Sequence, residues 1–330
     1  MLILTGKDIH SVFSMRDAIE ADKKAFVLHS QGCAKVPLRI NLETDAKDGQ
    51  CMFMPAYVGG SLNMAGVKIV SYFPANASKG IPVVPATVPL IDGTTGLVTA
   101  IMEGTVLTQM RTAAISGAAT ELLSNEDSCV GALFGTGGQG SAQLEALMTV
   151  RSFEEIRIYD TMKDRIAPFI EKNSEIAKSF GVKLVEAKTS KEAVSDADVI
   201  TTVTTSAEPV FSSEWIKPGC HINGVGSYTP SMREIPSEVL LRASCIFVDN
   251  KEAVTAEAGD FIIPAKEGLF SFGKISGELG DLILGNLKGR SSHDDITVMK
   301  TVGFATLDIV TASEIAKKAE KAGVGTIITL

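Results

Sequence analysis

Gly135-Thr136-Gly137-Gly138-Gln139-Gly140 sets three glycines in the spacing G-x-G-x-x-G, directly after the apolar run Val130–Phe134 and directly before a helical pattern over 139–150. That spacing suits phosphate chemistry. The first glycine permits a tight turn, the second lets backbone approach a pyrophosphate, and the third lets helix and strand pack closely. The free N–H groups and positive dipole end of the following helix then face the anion, with Gly138 and Gln139 in the same turn. About twenty residues past Gly140, Asp160 ends the apolar run 156–159. A carboxylate there accepts hydrogen bonds from ribose hydroxyls and repels a 2′-phosphate. The pattern predicts a dinucleotide, NAD in preference to NADP, although Lys163 and Arg165 close by leave NADP open. Two polar turns at strand ends, 201–206 and 223–227, offer Thr204, Thr205, Asn223, Val225 and Gly226 as further cofactor contacts. Ligands of open α/β sheets sit at carboxyl ends of strands, but each turn also reads as an ordinary loop or helix cap.

Three cations interrupt apolar surroundings in the first half: Arg39 in Val36-Pro37-Leu38-Arg39-Ile40, Lys68 in Gly66-Val67-Lys68-Ile69-Val70, and Arg111 in Gln109-Met110-Arg111-Thr112-Ala113. A charge inside an apolar run is costly unless paired. Arginine's planar fork can hold a carboxylate bidentately. Together the three could fix the carboxylate of a small amino or imino acid beside a nicotinamide; singly, each also fits an ordinary ion pair.

These residues need elements to position them. With 330 residues, two domains are the default. The first segment reads as α+β: a helix over 14–30, then β runs at 51–54, 66–70, 86–91 and 97–102, with a hairpin turn at Asp92-Gly93 and a helix over 105–123. A polar stretch at 124–127 marks a boundary. Beyond it strand and helix patterns alternate, at 130–134, 139–150, 156–159, 164–180, 182–185, 191–196 and 199–203, with further strands at 221–225 and 245–248. That alternation predicts an α/β fold with a doubly wound parallel sheet of Rossmann type. The stretch 297–320 reads as one long helix and 324–330 as a terminal β run. The turn 277–281 reads as a cap near the cofactor, Trp215 as a packing residue and His221 as structural.

The net charge of −8 disfavours nucleic acid and anionic membrane as partners. No apolar run approaches the roughly 18 residues of a spanning helix, and residues 1–10 do not resemble a signal peptide. Five cysteines without C-x-x-C spacing suit reduced thiols in the cytoplasm. The four histidines lie far apart in sequence, so spacing predicts no metal site.

Six segments in order carry a resemblance: Met54-Pro55-Ala56-Tyr57, Gly66-Val67-Lys68, Asp92-Gly93 with Gly96, Arg111-Thr112-Ala113-Ala114, the glycine turn, and Asn223-Gly224-Val225-Gly226 leading to Pro230 and Arg233-Glu234. The chain resembles the ornithine cyclodeaminase/mu-crystallin family over essentially its whole length. The resemblance implies a discontinuous α+β substrate/dimerisation domain (1–124, with 299–330 returning to it), a Rossmann domain (125–298) and a homodimer. It implies that Arg39, Lys68 and Arg111 hold the substrate carboxylate, that Thr112 touches the cofactor, and that Asp160 is the ribose-binding acid of NAD-using members.

Two departures bear on the reaction. Family cyclodeaminases carry a glutamate two residues before the Met-Pro pair, where this chain has Met52, and a catalytic aspartate where it has Tyr228. Methionine does not titrate, and a tyrosine near pKa 10 is a poor base at neutral pH. Ser227-Tyr228-Thr229-Pro230 looks more like the imine-reductase branch, whose members use NAD(P)H to reduce 1-pyrroline-2-carboxylate or 1-piperideine-2-carboxylate to proline or pipecolate. On that expectation Arg111 and Arg39 clamp the carboxylate, Lys68 adds charge and relays a proton, and Tyr228 either donates a hydrogen bond or simply packs. Ornithine cyclodeaminase, an alanine dehydrogenase-like activity and a non-catalytic mu-crystallin-like binding protein remain the alternatives.

Overall fold

The computed structural model describes residues 1–329. The chain forms two compact units, one comprising Met1–Arg111 with the segment from Phe304 onward, the other Thr112–Gly303.

The first unit is built on strands β1 (Leu2–Leu4), β2 (Ala34–Lys35), β3 (Ile40–Glu43), β4 (Gln50–Val58), β5 (Met64–Tyr72), β6 (Ala86–Asp92) and β7 (Val98–Glu103). The sheet runs β1-β7-β6-β5-β4-β2, with β3 also on β4. All pairings are antiparallel except β1 with β7. Asp92 organises the β6–β7 turn: its Oδ1 accepts from the Thr94 and Thr95 amides at 3.0 and 2.7 Å, and Gly96 takes φ +73°, so the hairpin loop spans 93–97 rather than two residues. The helix Met15–Ser30 starts with a reciprocal cap between Ser14 and Asp17. It packs on the helix Ala305–Ala322, which covers one face of the sheet at β4–β6.

The second unit contains β8 (Val130–Phe134), β9 (Glu155–Tyr159), β10 (Lys183–Glu186), β11 (Val199–Thr202), β12 (His221–Gly224), β13 (Cys245–Val248), β14 (Gly277–Glu278) and β15 (Thr297–Lys300). Their order is β10-β9-β8-β11-β12-β15-β13-β14, and every pairing is parallel. The first six reproduce the doubly wound strand order, with its reversal between β8 and β11. Side chains alternate between two cores: Ala132 and Phe134 join Ile200, Ile222 and Val298 on one face, while Leu133 joins Leu144, Leu147, Ile156 and Phe169 on the other. The turn 277–281 is itself β14 and the start of a helix, Leu279–Ile283.

The expected single helix over 297–320 is corrected. Thr297–Lys300 is strand β15, buried between β12 and β13 in parallel register. Gly303 at φ +75° then turns the chain, and the helix runs over Ala305–Ala322. A buried strand flanked on both faces has no alternation to separate it from a helix start. Of the expected β run at 324–330, Thr326–Ile327 pairs antiparallel with β1; Leu330 lies outside the described residues.

Candidate active site

The glycine turn has the shape its spacing predicts. Gly135 sits at φ +105°, where a Cβ would lie 2.6 Å from the Val203 carbonyl oxygen. At Gly140 a Cβ would lie 2.9 Å from both the Gly135 carbonyl oxygen and the Phe169 ring, so only glycine lets the helix Gly140–Val150 close onto β8. Between them Gly137 and Gly138 are exposed, with open space where a side chain would project. The helix lacks a side-chain N-cap, leaving first-turn amides for an anion. This cradle fits a dinucleotide pyrophosphate.

Asp160 closes the cradle at the end of β9. Its Oδ2 accepts from the Thr136 amide and hydroxyl at 2.9 and 2.7 Å, and its Oδ1 from the Met162 amide at 2.9 Å. Burial works against the charge, but the hydrogen bonds from Thr136 and Met162 hold the carboxyl below its usual range. It is a carboxylate at neutral pH, as a ribose acceptor must be. Lys163 lies over the neighbouring Tyr159 ring at 3.7 Å.

The other candidates in this unit differ in what they leave available. Thr205 and Tyr228 are exposed, Val225 is buried, and Thr112 is half-buried with its carbonyl accepting from Gln143. The Thr204 amide and hydroxyl both donate to Glu234, as does the Gly226 amide. Asn223 departs from expectation. It is buried, its Nδ2 donates to Thr120 and Thr201, and its Oδ1 meets His221 Nε2 at 3.0 Å. That side chain ties β12 to β11 and to the helix Gly104–Leu123; it is engaged inside the unit instead of facing a cofactor. His221 belongs to the same network, and burial pushes its pKa down to about 3, so it stays neutral.

In the first unit, the structure brings two of the three cations onto one acid. Lys68 Nζ on β5 lies 2.9 and 3.1 Å from the two carboxylate oxygens of Asp308, and Arg111 Nε lies 2.9 Å from Oδ1. All three side chains are almost fully buried. Arg111 engages Asp308 through Nε alone; among the described residues no hydrogen bond or ion pair involves its Nη1–Nη2 fork. Arg39, half-buried just before β3, is near enough for its charge to act on Lys68. Burial, then Arg111, pushes Lys68 down to about 7. Asp22, also buried, accepts from Thr311 at 3.2 Å, and burial pushes its pKa up. Lys68 and Arg111 thus converge on one buried acid, and the open fork of Arg111 suits a small carboxylate. Sequence reasoning missed Asp308, although it interrupts the apolar run 305–310 as Lys68 and Arg111 interrupt theirs.

β-Register adds the neighbours of this cluster. Met54 pairs with Lys68 and Met52 with Val70, so Met52, Met54, Lys68 and Val70 share one sheet face. The strand positions adjoining Lys68 on that face are apolar.

The model of the ornithine cyclodeaminase/mu-crystallin family matches residues 1–323. The chain belongs to that family. A delta(1)-pyrroline-2-carboxylate reductase of Bacillus cereus is 35% identical over 325 residues, 98% of each chain. An alanine dehydrogenase of Archaeoglobus fulgidus is 32% identical over 327 residues, 99% of this chain and 98% of that one. The solved structure of Thermococcus litoralis delta(1)-pyrroline-2-carboxylate reductase with NADH and L-proline superposes with TM-score 0.93 at 39% identity, covering 99% of this chain and all of that one. This family member has no described helix long and apolar enough to cross a membrane, and no described cluster of three His, Cys, Asp or Glu to hold a metal.

Proposed function

We propose that this chain uses NADH to reduce the C=N bond of a small cyclic imino acid, 1-pyrroline-2-carboxylate or 1-piperideine-2-carboxylate, giving proline or pipecolate. The observation that carries the reading is the buried Lys68–Arg111–Asp308 cluster with its open guanidinium fork, and the reductase relatives support it. Gly135, Gly137, Gly138, Gln139 and Gly140 hold the pyrophosphate and Asp160 the adenosine ribose; bound NADH supplies the hydride. Arg111 takes the substrate carboxylate through Nη1 and Nη2, and Arg39 adds the second clamp. Asp308 keeps Arg111 and Lys68 aimed. Lys68, poised near neutrality, passes a proton toward the ring nitrogen as the amine forms. The chain's main work is positioning the acceptor.

The apolar face around Lys68 opposes the cyclodeaminase reading. With Met52 beside Val70, no carboxylate adjoins Lys68 on those strands to hold the second amine of ornithine. The Archaeoglobus relative favours one second reading, amination of pyruvate. We further infer a homodimer. Ile40, Phe53 and Ile69 are cross-strand neighbours on the face opposite Lys68. Ile40 and Ile69 are 55% and 37% exposed, and a contiguous exposed apolar row marks an interface.

The test gives the purified protein NADH deuterated at both C4 positions, with five- and six-membered cyclic imino acids, pyruvate plus ammonia, and ornithine with NAD. One deuterium at Cα of proline or pipecolate, one per NADH consumed, is expected. Turnover confined to pyruvate plus ammonia, or proline from ornithine without net NADH change, would refute the reading.

A further inference from the structure

Beyond the cradle, a buried polar cluster in the second unit is centred on Glu234, and nothing in the reaction as described uses it. Its side chain is fully buried. Oε1 accepts from the Thr204 amide at 2.6 Å and its hydroxyl at 2.8 Å. Oε2 accepts from the Gly226 amide at 2.6 Å and the Ser227 amide at 3.1 Å. Donors thus converge on both oxygens from two loops, one following β11 and one following β12. Backbone N–H donors on both oxygens favour the carboxylate.

The carboxylate is itself held from behind. Asp260 Oδ1 accepts from the Glu234 and Ile235 amides at 2.6 and 2.9 Å, which fixes the backbone of Glu234. Asp260 Oδ2 pairs with Lys300 Nζ at 2.9 Å, both fully buried. Lys300, on β15, also donates to the Gly224 carbonyl at the end of β12. The loops approach so closely that a Cβ at Gly226 would overlap the Thr204 backbone and meet Glu234 Oε1 at 2.7 Å. Burial and Asp260 push the Glu234 pKa up, and Lys300 counters them.

The doubly wound fold gives these loops a place in cofactor binding. Its two halves each take one mononucleotide at the carboxyl ends of their strands. The cradle and Asp160, on β8 and β9, belong to the adenosine half. The loops after β11 and β12 belong to the other half, where the nicotinamide mononucleotide goes. Tyr228 is carried on the second of them.

We propose that Glu234 is a positioning residue that clamps the β11 and β12 loops into one surface for the nicotinamide half of the cofactor, without touching the cofactor itself. This rests on the NADH reading above. A residue that only supported the fold would affect both halves of the site alike. A clamp on these loops would affect the nicotinamide half alone.

ADP-ribose contains the adenosine half and lacks the nicotinamide, so binding of NADH and of ADP-ribose can be compared by titration calorimetry. In Glu234→Gln the amide NH₂ must face donors on one side, and one loop is released. NADH binding is expected to weaken about tenfold, with ADP-ribose binding unchanged within about twofold. If that variant does not fold, Thr204→Val removes one of the donors and is expected to weaken NADH alone, by about threefold. Equal weakening of both ligands, or of neither, would overturn the clamp. A wild-type protein that binds ADP-ribose but not NADH would overturn the cofactor reading and the clamp with it, whereas wild-type NADH binding with equal losses in the variant overturns the clamp only.

Discussion

Lys68 is held where its protonation matters at physiological pH. Its pKa falls to about 7 from 10.5, chiefly through burial and then Arg111. The sign of the consequence differs for stability and activity. Between about 7 and 10.5 the unfolded lysine binds a proton that the folded one does not, so stability rises with pH across that window, and the penalty is fully present below about 7. Activity should move the other way, because the proton transfer needs the charged amine. We therefore expect kcat/KM for imine reduction to fall above about pH 7 while thermal stability rises, and Lys68→Arg, whose guanidinium stays charged but gives up no proton, to lose about a hundredfold in kcat and the pH limb with it. An arginine variant that keeps both its rate and the same limb would assign the titration to another group. Lys68 and Arg111 were legible in the sequence because each interrupts an apolar run. Their partner was not, since Asp308 lies 240 and 197 residues away and nothing local announces which distant charge it meets. Glu234 was visible only as half of an Arg-Glu pair; four donors from two loops are a property of the fold. The buried partners of Asn223 were hidden for the same reason, since a polar residue at a strand end reads alike whether it faces a ligand or a buried histidine.

At the scale of elements, the alternating strand and helix signals from 130 to 248 were strong because each strand is a short apolar run bounded by turn residues. The failure at 297–300 is instructive: Thr-Val-Met-Lys followed within a few residues by an alanine-rich helix gives no break in composition, and only Gly303 separates them. Strand β3 shows the opposite problem. All four of its residues are exposed, yet it alternates Ile40 and Leu42 with polar neighbours as if one face were covered. A second copy of the chain would supply that cover. Ile40→Lys with Ile69→Lys places two charges in the exposed row and should leave the first unit's interior untouched. The expected outcome in light scattering is a shift from dimer to monomer at micromolar concentration; a dimer of undiminished affinity would place the interface elsewhere.

For the whole molecule, the proposed function divides the labour of the reaction between the two units. On that proposal the second would hold the pyrophosphate, the ribose and the loops tied by Glu234, and the first would supply the cations for the acceptor's carboxylate. Each unit's contribution should therefore be separable by mutation, even though turnover needs both. The most direct test is Arg111→Gln, assayed for the Michaelis constant of the cyclic imino acid and, independently, for NADH affinity. Loss of a bidentate charge-assisted contact predicts a KM raised about a hundredfold with NADH binding unchanged within about twofold. An unchanged KM for the imino acid would contradict the account, because the carboxylate would then be held by something other than the cluster that defines it.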